Sequence, residues 1–134
     1  MKIKTMLASL AAVSMLTACE DLFEDGSLQP DGSKPSLTVN NPSNNQAVTI
    51  AQGLRVNITA IDKDKVKDID FVLQSQASEK KSFIKFTTFP QNNVVEFDTT
   101  LSMAGIAPGT YNLIIKATDN RTNVTTQEVA VNVK

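Results

Sequence analysis

Asp62, Asp64, Asp119 and Asn120 are the residues whose types and spacing best suit a chemical site. Asp62 and Asp64 follow an alternating apolar stretch, Val56, Ile58 and Ala60. Asp119 and Asn120 follow a second one, Tyr111, Leu113, Ile115 and Ala117. If both stretches are core strands of one sandwich, their loops lie at the same end and bring the oxygens together. Calcium takes about six to eight oxygen ligands, largely from Asp, Asn and backbone carbonyls, so the residue types are suitable, although the expectation is no cofactor, with calcium as the alternative. Two facts pull the other way. Lys63, Lys65 and Lys67 interleave with the acids and repel a dication. Asp and Asn also cap turns through their own backbone, which needs no metal.

Catalysis finds little to work with. A nucleophilic serine or cysteine normally needs a base, most often histidine, and the chain has no histidine. Asp68 and Asp70 point the same way from one strand, as a carboxylate pair for glycoside hydrolysis would. Lys65 and Lys67 lie nearby to pair with them, and a solvated strand face accounts for such acids. The expectation is a protein that is not an enzyme. Binding has a better candidate in the segment from Ser82 to Phe89, which is apolar on both faces. Phe83 and Phe89 fall on one face, Ile84 and Phe86 on the other, so one set is left outside. Phe83, Phe86 and Phe89 are therefore candidate contacts for a protein or glycan partner. The alternative is an edge strand whose outer set is covered by a loop or neighbour.

Strands must position these groups. Val56, Ile58 and Ala60 alternate with Arg55, Asn57 and Thr59, and Ile69, Phe71 and Leu73 alternate with Asp68, Asp70 and Val72. The same period of two returns at Tyr111, Leu113, Ile115 and Ala117 and at Val129, Val131 and Val133. Weaker strands are expected over Ser36–Asn40, Ala47–Ile50, Ser82–Phe89 and Val94–Thr100. Clusters of Asn, Pro, Ser and Asp separate them, as at Asn41 to Asn45 and Asp119 to Asn123. No helical period is visible after Cys19. The pattern predicts an all-β fold, a sandwich of about seven strands over residues 36–134.

Leu101, Ile106, Pro108, Gly109 and Tyr111 resemble the approach to an immunoglobulin-type F strand. That resemblance implies a tyrosine corner, in which the Tyr111 hydroxyl caps an upstream backbone group. Ala60-Ile61-Asp62 and Ala117-Thr118-Asp119-Asn120, at the ends of two core strands, extend the likeness to the Ig-like and cadherin-like modules of bacterial surface and periplasmic proteins. The cysteine pair and tryptophan of antibody domains are missing, so the core must rest on aliphatic packing. Sandwiches of this kind host many unrelated roles.

The N-terminus carries an address. Lys2 and Lys4 precede an apolar run from Met6 to Leu16, the layout of a secretory signal over residues 1–18. A spanning helix needs about twenty apolar residues, so this run is too short to cross a bilayer. Leu16-Thr17-Ala18-Cys19 resembles a bacterial lipobox, and Cys19 is the only cysteine. The resemblance implies cleavage before Cys19, a thioether-linked diacylglycerol on its sulfur and an N-acyl chain such as palmitate. Each buried CH₂ contributes about 0.8 kcal/mol, so several chains hold far more firmly than one. Residues 20–35 are acidic, contain Gly and Pro and lack apolar periodicity, which predicts a flexible tether. Fully extended, such a tether reaches about 55 Å.

Glu20, Asp21, Glu24 and Asp25 resemble the export signal of surface lipoproteins in the Bacteroidetes. That implies an outer-membrane protein at the cell surface rather than on the periplasmic face. Without Lys2 and Lys4, eleven basic side chains remain against fourteen acidic ones, a charge of about −3. This balance argues against nucleic acid as a partner, and it leaves the lipid as the means of holding a membrane. The expectation is a membrane-anchored lipoprotein presenting a non-catalytic Ig-like binding or structural module. The alternatives are a carbohydrate-binding accessory lipoprotein of a glycan-uptake system and a calcium-stabilised adhesion module.

Overall fold

The computed structural model describes residues 32–77 and 80–134. The signal segment 1–18, Cys19 and the tether as far as residue 31 lie outside the described residues. Seven strands follow in order: β1 (Ser36–Asn41), β2 (Gln46–Val48), β3 (Leu54–Ser75), β4 (Ser82–Thr88), β5 (Asn92–Leu101), β6 (Gly109–Asp119) and β7 (Val124–Val133). All pairings are antiparallel except that of β2 with β7, which is parallel.

Two sheets form because β3 belongs to both. Its first half lies between β1 and β5, with Ile58 opposite both Val39 and Phe97. Its second half lies between β4 and β6, with Phe71 opposite both Phe86 and Ile115. Beyond β6 come β7 and then β2. The sequence predicts two strands here, split by a loop after Ala60. Instead Asp62 to Lys65 stays within the strand, with Asp62 buried and Lys63 and Lys65 exposed, and the chain crosses between the sheets without a loop. Lys65 has a left-handed φ of 72°, which supplies the bend without a loop. The short strand expected over residues 47–50 sits one residue earlier and ends at Val48.

Alternation fixes which faces meet. Leu54, Val56, Ile58 and Ala60 from one sheet face Ile69, Phe71, Leu73, Leu113, Ile115, Ala117 and Val131 from the other, all of them fully buried. Burying one such large side chain contributes about 1.5–3 kcal/mol, and the core does not rest on aliphatic packing alone, because its centre is aromatic. Phe71 sits at its centre, stacked on Phe86 with ring centroids 4.6 Å apart and tilted against Phe97 at 5.0 Å. Met103 and Ile106 fill the connection from β5 to β6. The turn into β3 needs Gly53: its φ is +78°, and a Cβ there would stand 2.7 Å from the Leu101 carbonyl oxygen. The tyrosine corner is formed, with the Tyr111 hydroxyl donating to the Ala107 carbonyl at 2.6 Å.

Register places several connections at one end of the sandwich. The β3 crossing pairs there with Asn92 and Asp119, and residues 89–91 carry the chain from β4 to β5. The β6–β7 turn closes the same end, and β1 starts there with Ser36 opposite Ile61.

Candidate functional site

The crossing of β3 and the end of β6 bring three carboxylates together. Asp62, Asp64 and Asp119 each place an oxygen within 4.8 Å of the other two. The elements that hold them are well tied. The Asn93 side-chain amide donates to the carbonyls of Asp62 and Lys63, at 3.0 and 2.9 Å. The Asn120 backbone N–H donates to the Lys65 carbonyl at 3.2 Å, joining the β6–β7 turn to the crossing. Gln91 N–H donates to the Val66 carbonyl at 2.9 Å. Lys65, Gln91 and Thr122, all at this end, have left-handed φ values of 72°, 53° and 65°.

The three acids have different surroundings. Asp119 is fully buried and organises its turn: Oδ1 accepts from the backbone N–H groups of Arg121 and Asn123, and Oδ2 accepts from the Asn123 side chain. This is the turn-capping role open to any Asp. Asp62 is 4% exposed, and its Oδ1 accepts from the Asp64 N–H at 2.7 Å. The Oδ2 atoms of Asp62 and Asp64 are buried and have no hydrogen-bond partner among the described residues. Burial pushes the Asp62 carboxyl above its ordinary range, and the negative charges of Asp119 and Asp64 push the same way against the Asp64 N–H bond.

The interleaved lysines do not share this pocket. Period-two alternation turns Lys63, Lys65 and Lys67 outward, all exposed, while Asp62 turns in and Asp64 is half-buried. Spacing along the chain places these lysines beside the acids, but all three are exposed where Asp62 is buried. Asn120 is exposed, and it is the buried Asn123 that reaches Asp119. Sequence reading missed Asn123. The signal was its offset of four residues from an Asp in a turn.

The three phenylalanines do not form one surface. Phe86 is partly buried against the core and stacked on Phe71. Phe83 stands at the register shift between β3 and β4, edge-on to Tyr111 at 5.5 Å, and is 40% exposed. Phe89 is 71% exposed, in the crossing from β4 to β5. Ile61 and Val94, opposite each other on β3 and β5, are exposed near the same end. Asp68 and Asp70 do share the outer face of β3, where Asp70 accepts from the Thr87 hydroxyl at 2.6 Å and meets Lys116 at 3.5 Å.

No family model matches the chain, and no curated protein sequence matches it. Its likeness is to solved structures. Fibronectin(III)-like modules of Clostridium thermocellum CbhA match at TM-score 0.50 and 18% identity, over 76% of this chain and 47% of theirs. OgpA from Akkermansia muciniphila matches at TM-score 0.58 and 11% identity, over 79% of this chain and 30% of its own. A variant of the superoxide reductase (neelaredoxin) from Ignicoccus hospitalis matches at 0.52 and 12%, over 82% and 89% of the two chains. The chain thus spans less than half the length of the first two. At these identities the shared property is the fold, and the chain folds as a fibronectin-III-like, immunoglobulin-like β-sandwich.

Proposed function

We propose that this protein is a lipoprotein, held to the outer membrane through Cys19 and presenting one non-catalytic Ig-like module at the cell surface as a binding or structural unit. The observation that carries the reading is the join between tether and sandwich. The lipobox-like Leu16-Thr17-Ala18-Cys19 and the acidic residues after it lead into β1 at Ser36, so the module hangs by its first strand. Thr125 donates its hydroxyl hydrogen to the Pro35 carbonyl at 2.6 Å, which ties the start of the module to β7. Phe89, Val94 and Ile61 are exposed at this end and support partner contact there. Glycan recognition asks for flat aromatic platforms, and Phe86 is turned inward. A protein partner or a structural role is therefore preferred to the glycan-uptake alternative.

The test is fatty-acid labelling with an alkyne analogue, followed by protease treatment of intact cells. The reading expects label on the wild type, none on Cys19→Ala, and loss of the module from intact cells under protease. An unlabelled wild type overturns the anchor. A labelled protein that resists protease until the cells are broken overturns the surface location.

A further inference from the structure

We propose that Asp62, Asp64 and Asp119 bind one calcium ion, which staples the β3 crossing to the β6–β7 turn. The proposal goes beyond anchoring and display, which need no metal. It rests on more than acids lying close together. Asp62 is 4% exposed, and its Oδ2 has no donor among the described residues. Asp64 brings a second buried Oδ2 in the same condition, and both residues place an oxygen within 4.8 Å of Asp119. A buried carboxylate oxygen without a donor is costly, and nearby like charges add to that cost. Turn capping accounts for Asp119 and for Oδ1 of Asp62, but it leaves the Oδ2 atoms of Asp62 and Asp64 without a donor among the described residues. A cation satisfies all three at once.

The chemistry selects the ion. The donors are carboxylate oxygens on a chain with no histidine, which points to a hard cation rather than zinc or copper. Magnesium demands near-octahedral geometry, keeps several waters and takes one or two carboxylates. Calcium accepts more oxygens in looser geometry, so three converging carboxylates favour calcium. The lysines that speak against a dication in the sequence are exposed, whereas the Oδ2 atoms of Asp62 and Asp64 are buried.

Position gives the ion a purpose. Asp62 and Asp64 stand where β3 passes from one sheet to the other, and Asp119 ends β6. An ion there ties both sheets together at the end where β1 begins.

The experiment uses the full-length chain in detergent, titrated calorimetrically with calcium or magnesium and melted in either ion or in chelator. One calcium per chain is expected, with a melting temperature several degrees higher than in chelator and a weaker effect of magnesium at equal concentration. Asp62→Asn and Asp64→Asn should each weaken calcium binding at least tenfold and abolish the shift, while Asp98→Asn keeps it. Identical melting in calcium and chelator overturns the proposal, as does an unchanged shift in both site variants. An equal response to magnesium overturns the choice of ion. Circular dichroism identifies any variant that has not folded, and the other site variant then decides.

Discussion

Asp62→Asn should stabilise the calcium-free protein, which is unusual for a substitution at a buried residue. The side chain keeps its shape, and its amide oxygen can still accept from the Asp64 N–H, now at 2.7 Å. What changes is charge. Two unit charges 4.8 Å apart at an effective dielectric of about 20 repel by about 3.5 kcal/mol, and the substitution removes the two such pairs that include Asp62. Protonation of Asp62, whose carboxyl is held above its ordinary range mainly by burial, already relieves part of that repulsion. The gain at neutral pH is therefore smaller than the Coulomb figure, on the order of 1 kcal/mol. For a domain of this size each kcal/mol moves the melting temperature by roughly 4–8 °C. With calcium the order reverses. Free ion at a hundredfold excess over its Kd stabilises the wild type by about 2.7 kcal/mol, and the variant loses that gain. The assay is thermal melting of both full-length proteins in chelator and in calcium. A variant that is less stable in chelator and still responds fully to calcium refutes the electrostatic argument.

Other substitutions test the frame. Tyr111→Phe removes the 2.6 Å bond to the Ala107 carbonyl and should cost about 0.5–1.5 kcal/mol in denaturant unfolding. Phe86→Ala takes away the ring stacked on Phe71 and should cost about 3 kcal/mol, whereas Phe89→Ser, at an exposed site, should stay within about 0.5 kcal/mol. A hydrogen bond from Arg55, and then its charge, hold the Asp98 carboxyl below its usual range. A depressed acid contributes stability above its unfolded pKa and loses it as pH falls through the folded one. The gap in unfolding free energy between wild type and Asp98→Asn should therefore be small and salt-sensitive at neutral pH, and should close in acid.

Much of the fold is legible in the sequence because half-buried strands write their faces as a period of two. Val56, Ile58, Ala60, Leu113, Ile115 and Val131 all read as core and are core. The tyrosine corner was readable through the resemblance of Leu101, Ile106, Pro108, Gly109 and Tyr111 to the approach to an immunoglobulin-type F strand. The crossing of β3 was hidden. Asp-Lys-Asp-Lys reads as a polar loop, yet polar residues alternate as strictly as apolar ones when one side of the strand is wet. That same alternation buries Asp62 and exposes Lys63, which spacing alone represents as neighbours. Phe83, Phe86 and Phe89 show the reverse limit. Their periodicity is right, but the register shift at Phe83 and the strand end before Phe89 give each a different environment.

Mass spectrometry of the mature protein's N-terminal peptide is the sharpest test of the proposed lipid anchor at Cys19. The expected peptide begins at Cys19 and carries a diacylglyceryl group and an N-acyl chain. A peptide beginning elsewhere, or an unmodified Cys19 on a protein that stays in the soluble fraction, contradicts it.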